Sequence, residues 1–193
     1  MLILYEDITN DTMSAEEAVR IICDIVRDLQ GKIRTEMQLC DVWQDTIFQG
    51  MHIIPILGKT LALHRIVTPV GNETNQLVEA FRLAAVLYIS ALRARFGVDT
   101  LSSEPLYAGK LHDLLVTGSL VRHVSSSLLP WILAVSYTSN CCTEQKISFR
   151  KALMEFVIEP EAIDYFALRR MVSRVMWDEE LLPVQSQILQ TLC

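Results

Sequence analysis

Glycine and proline are scarce in this 193-residue chain, at 7 and 6 residues. An all-β architecture needs many tight turns, and this supply is too small for one. Long apolar runs are missing as well. The longest, near Leu83–Leu92 and Leu128–Val135, fall far short of the ~20 residues a membrane-crossing helix requires, so no membrane association is expected. No C-x-x-C and no H-E-x-x-H spacing occurs, so no metal site is expected. Neither G-x-G-x-x-G nor G-x-x-x-x-G-K-[ST] is present, which leaves nucleotides and other cofactors without support.

A basic region is lacking too. The chain carries 17 Lys and Arg against 23 Asp and Glu, a formal charge of −6. Divided at Gly97, each half holds −3, from 9 basic and 12 acidic residues and then 8 and 11. Such even negative charge offers nothing to grip a phosphate backbone, so direct nucleic-acid binding by this chain is not expected. The five cysteines, Cys23, Cys40, Cys141, Cys142 and Cys193, are odd in number and irregular in spacing. They read as reduced thiols inside a cell rather than a disulfide framework. Cys141 and Cys142, set at the end of a helical stretch, cannot both point at one metal without strain. The opening residues Met1–Asp7 have no basic n-region, so a secretory signal is not expected.

Catalytic signatures are equally thin. Gly118-Ser119-Leu120 lacks the G-x-S-x-G frame of a nucleophile elbow. His112 and Asp113 are neighbours, which on a helix face about 100° apart. His52, His64 and His123 are scattered. No catalytic residue is assigned.

What the chain does have is helix. Apolar residues make up 51% and charged residues 21%, which argues for a packed core rather than disorder. Ser14-Ala15-Glu16-Glu17 reads as a capping box, followed by Ala18, Ile22, Ile25, Leu29 and Ile33 at helical spacing. Residues 1–13 before it read as a loosely held N-terminal segment. In Val42–Pro69, Gly50, Pro55 and Gly58 interrupt the helical signal, and Thr60–Val67 reads as a short helix. Asn72 can cap a long helix on which Leu77, Phe81, Ala84, Tyr88, Leu92 and Phe96 form one stripe, widened by Ala80, Leu83, Leu87 and Ala91. Arg93 and Arg95 suit the negative end of its dipole, and Gly97 its left-handed close. Further helices are expected from Ser103-Glu104-Pro105, over Leu120–Tyr137 with a bend at Pro130, from Thr143 to Ile158, and over Glu161–Trp177. A short tail helix follows Pro183. The expected fold is all-α, a single domain over 1–193, with about seven helices around a buried central one.

Three side chains stand out within this pattern. Arg82 lies in an apolar run and must be paired if buried, which would orient helices. Trp131 and Trp177 read as core or interface anchors. The cluster Arg169, Arg170 and Arg174 reads as a helix C-terminus within reach of Asp178-Glu179-Glu180.

Three patches carry a family resemblance. Glu79–Gly97, "EAFRLAAVLYISALRARFG", resembles the central helix of the regulatory region of fungus-specific zinc-cluster transcription factors. Leu128–Val135, built around Trp131, is similar to that region's second buried helix, although Ser136-Tyr137-Thr138 stands where small residues are usual. Val175-Met176-Trp177-Asp178-Glu179 is similar to its Trp-plus-acid element. Together they frame a core of about 73–182. The resemblance implies an all-α module that regulates transcription by binding a protein partner or a small effector. It also implies a nuclear location (with the cytoplasm as alternative) and allows a homodimer. The family's C-x2-C-x6-C DNA-binding run is not in this sequence. The alternatives are a small helical enzyme with an apolar metabolite in an interhelical pocket, and a structural subunit docking through exposed tryptophans.

Overall fold

Ser14 opens the first helix in the computed structural model, which describes residues 13–63, 73–98, 103–117, 127–157 and 165–192. Its hydroxyl accepts from the Glu17 N–H at 3.2 Å, satisfying one of the free donors of the first turn. Glu17 does not complete the box but turns to Arg20 at 3.7 Å. Helix α1 (Ala15–Met37) then runs unbroken through Gly31. It buries Ala18, Ile22, Val26, Leu29 and Ile33. Val26 takes the place expected of Ile25, because a step of four from Ile22 stays on the stripe while a step of three drifts to its edge. The segment before Met13 lies outside the described residues.

The expected interruptions after Val42 do not interrupt. Asp45 caps an α turn, Thr46–Phe48, by accepting from the N–H groups of Ile47 and Phe48 at 2.8 and 2.9 Å. The chain continues through a π turn, Gln49–Ile53, into helix α2 (Ile54–Ala62). Pro55 sits in the first turn of α2, where the missing N–H is tolerated, and the π turn falls where an α ladder would have needed it. Thr60 belongs to α2, and the rest of the expected Thr60–Val67 helix lies outside the described residues beyond Leu63.

Helix α3 (Glu73–Arg95) is the centre of the fold. Every residue from Ala80 to Ser90 is buried. A helix with no polar face in its middle has to be surrounded, and α3 packs against α1, α2 and three later neighbours. Gly97 closes it at φ +73°, with its N–H on the Ala94 carbonyl at 3.1 Å. That left-handed geometry is what a glycine past the helix end provides. Asn72 lies outside the described residues.

Helix α4 (Glu104–His112) carries Pro105 in its first turn and passes into a π turn, Asp113–Thr117. Pro130 does not bend its helix. It lies in the first turn of α5 (Leu129–Thr138), which is buried nearly all round. Helices α6 (Thr143–Val157), α7 (Tyr165–Val175) and α8 (Pro183–Gln190) follow. Trp177, expected on α7, falls just beyond its end. Among the described residues there are eight helices of eight residues or more and no strand. One hydrophobic core, running from Ile22 to Leu192, joins them into a single all-α domain.

Candidate functional site

The three resemblance patches are far apart in sequence and meet around one side chain, Tyr88 of α3. Its ring centroid lies 5.8 Å from that of Trp131 on α5 and 6.4 Å from that of Trp177 beyond α7. Phe81 backs Trp131 at 5.2 Å. Trp131 is 0% and Trp177 7% exposed, so both are core residues and neither offers a surface to a partner. The Trp177 indole N–H donates to Ser186 Oγ at 3.1 Å, tying this cluster to α8. The Trp131 Nε1–H finds no acceptor among the described residues.

Tyr88 is joined to α1 as well. Gln30 Nε2 donates to the Tyr88 hydroxyl at 2.6 Å and to the Met176 carbonyl at 2.7 Å. Burial pushes the Tyr88 phenol well above its usual 10, with the Asp178 charge adding to the rise and the Gln30 bond opposing it. Below pH ~10 Tyr88 is neutral in folded and unfolded chains alike and its titration costs nothing. As pH rises through 10 the unfolded chain loses this proton first, so stability falls from there upward. A tyrosinate absorbance titration should show one phenol that ionises only together with loss of near-UV circular dichroism. Tyr88→Phe should remove that late phenol.

The stretch after α7 is held from several sides. Arg27 donates to the Val175 carbonyl at 3.2 Å, and Arg95 to the carbonyls of Glu180 and Leu181 at 2.9 and 3.1 Å. Arg95 also lies over the Trp43 ring at 3.6 Å. Asp178, only 6% exposed, pairs with Arg34 at 2.7 Å through Oδ2, while Oδ1 accepts from the Glu180 and Leu181 N–H groups. Tyr165 donates to Glu179 at 2.7 Å, and Arg169 pairs with the same carboxylate at 2.8 Å. Of the basic cluster on α7, Arg169 thus meets the acidic run as its spacing suggested. Asp178 is taken by Arg34 of α1, while Arg170 and Arg174 are exposed. Residues 176–182 are not helical and the last carbonyls of α7 lack helical partners, so these carbonyls need outside donors, and side chains of α1 and α3 supply them.

This held segment forms one wall of a cleft of about 250 Å³. Leu87, Tyr88, Ala91 and Ala94 of α3 make its floor, with Val135 of α5, Trp177, and Leu182, Val184 and Ile188 around α8. Glu104 and Lys146 are its charged lining among the described residues. Glu104 is buried at 7% exposure and accepts from the Asn140 N–H at 3.1 Å. All three resemblance patches contribute to this lining.

Arg82, the remaining sequence candidate, is away from the cleft. It is 5% exposed and grips Glu79 of its own helix with two 2.7 Å bonds, Nε to Oε2 and Nη2 to Oε1. Among the described residues its one reach to another element is Nη1 to the Thr60 carbonyl at 3.4 Å. Thr60 lies in the last turn of α2, where carbonyls lack helical partners and a cation is favoured. Its orienting role rests on that one contact, because charge neutralisation happens within α3.

Sequence reasoning missed Gln30, Arg34, Glu104 and Lys146. None sits in a catalytic or binding motif, and each matters here through residues distant in the chain. Cys141 and Cys142 lie between α5 and α6, and Cys23, Cys40, Cys141 and Cys142 are free thiols. Burial raises the Cys141 thiol, with the Lys146 charge opposing it. On the outer side of Thr46–Ala62, Ile47, Met51 and Ile54 are 70%, 67% and 51% exposed. Among the described residues no three His, Cys, Asp or Glu gather to hold a metal, and no helix is long and apolar enough to cross a membrane. No family model, curated protein or solved structure matches the chain.

Proposed function

We propose that this chain is a regulatory helical domain that works by binding, receiving a small effector in the cleft between α3, α5 and α8. Its manner of action is that of the regulatory region of fungus-specific zinc-cluster transcription factors, with the DNA-binding step carried by another chain or segment in the nucleus. One observation carries the reading. The three stretches on which the resemblance rests, far apart in the chain, line a single cleft in which Tyr88 and Trp177 are shared between core and lining. An effector touching Trp177 touches the segment that α1 holds through Arg27, Gln30 and Arg34. Occupancy and the packing of α1 are thereby linked, which is what a regulatory module requires.

The enzyme reading is less well served. Tyr88, the titratable cleft residue that is clearly displaced, is held by burial as the neutral phenol, which can give up a proton but cannot take one, and its hydroxyl already accepts from Gln30. The structural-subunit reading drew on exposed tryptophans, and Trp131 and Trp177 are inside.

Binding of Nile red, an uncharged apolar dye, tests the proposal. The folded chain should bind it with micromolar affinity and blue-shifted emission. Ala91→Trp, which fills the floor of the cleft, should weaken binding at least tenfold with unchanged far-UV circular dichroism. Equal binding by parent and variant would show that the dye, and hence an effector, does not use this cleft.

A further inference from the structure

The cleft has a chemistry that its apolar walls alone do not convey. Among the described residues two charged side chains line it, and they differ in how far their charge is already answered. Glu104 sits in the first turn of α4, at the positive end of that helix, and accepts from the Asn140 N–H at 3.1 Å. Its carboxylate is therefore served by the protein itself. Lys146, in the first turns of α6, is half-buried, and its ammonium meets no carboxylate within ion-pair distance among the described residues. It stands at the cationic end of a helix, where its own charge gains nothing from the dipole. An anion placed beside it would be favoured by both. At the same cleft Val184 is an apolar side chain left 59% exposed, next to Ile188 and Leu182. A ligand that covers these and reaches Lys146 has an apolar body and one anionic end.

We infer that the cleft selects a small amphipathic carboxylic acid, its carboxylate paired with Lys146 and its apolar body laid over Leu87, Ala91, Leu182, Val184 and Ile188. The inference rests on the effector-binding reading above and narrows its ligand class. Size agrees with this class. A volume of about 250 Å³ is below the ~300–1,000 Å³ typical of drug-sized sites, so a single short chain or one ring fits and a large polycyclic ligand does not. The opposite choice, an ammonium ligand, would have to lie against Lys146 while competing with Asn140 for Glu104.

Displacement of Nile red by decanoate, decylamine and decanol, each below its micelle concentration, tests the inference on the full chain. Decanoate should displace the dye at least tenfold more effectively than decylamine. Lys146→Met should erase that preference and leave decanol unchanged. Val184→Asp, at an exposed position that does not endanger folding, should weaken decanoate several-fold by placing a second anion in the cleft. Decylamine binding as well as decanoate, or an unchanged preference in Lys146→Met, overturns the carboxylate inference while the cleft remains a binding site. Failure of all three ligands and of the dye itself overturns the effector-binding reading, and this inference with it.

Discussion

Glu79→Ala should cost about 3–5 kcal/mol of folding stability, read by urea or thermal denaturation. Arg82 is 5% exposed, and both of its short side-chain bonds, at 2.7 Å, go to Glu79. With the carboxylate removed, a guanidinium that cannot lose its proton is left inside the protein. Its remaining acceptor among the described residues is the Thr60 carbonyl at 3.4 Å, a long bond that cannot replace two charge-assisted ones. For a chain of this length such a loss lowers Tm by on the order of 10 °C. The pair taken as a whole is a different matter. Desolvating both ions opposes their attraction, so the double replacement Glu79→Leu with Arg82→Met should recover most of the loss. What the double variant should not recover is the hold on Thr60. Faster amide exchange at the end of α2, in a chain of near-parental stability, would separate the orienting role of Arg82 from its electrostatic one. Glu79→Ala within about 1 kcal/mol of the parent would mean that water reaches Arg82 and that its charge is not buried in solution.

That a buried Arg82 must be paired was legible in the sequence, whereas its partner, Glu79 one helical turn before it, was not read there. The elements defined by local rules were legible too. The Ser14 cap, the α1 stripe and the Gly97 close need only residues within a turn of each other, and the surrounded middle of α3 follows from its lack of a polar face. Legibility stopped where a choice depended on something distant. Gly50, Pro55 and Gly58 are breakers by propensity, yet a π turn and a first-turn proline absorb them once α2 has α3 to pack on. Asp178 had three arginines nearby in sequence and took Arg34, because the segment beyond α7 folds back along α1. The cleft was the least legible part. Its described lining is drawn from α3, α4, α5, α6 and α8, and the charged Glu104 and Lys146 look like ordinary first-turn helix residues until the helices are assembled.

Trp131→Ala should be as damaging as the loss of Glu79, for a reason that has nothing to do with charge. Trp131 is 0% exposed and stands between Phe81 and Tyr88, with centroids at 5.2 and 5.8 Å. Truncation removes the transfer energy of the indole and leaves a cavity that rigid helices close only in part, together about 3–5 kcal/mol. The aromatic contacts with Phe81 and Tyr88 add to the loss. Trp131→Phe is the informative companion. It keeps an aromatic face toward both neighbours and removes an Nε1–H that has no acceptor among the described residues. Relief of that unsatisfied donor, worth about 1–3 kcal/mol, offsets much of the lost volume. The Phe variant should therefore lose less than half of what the Ala variant loses. A Phe variant as unstable as the Ala variant would mean that the indole N–H does bond, through a buried water, and that Trp131 contributes polar as well as apolar stability. Because Tyr88 bridges Trp131 and Trp177, the same Ala variant should also weaken Nile red binding beyond its effect on folding. The floor of the cleft is then held in shape by the core beneath it, and the core and the binding surface share one aromatic cluster.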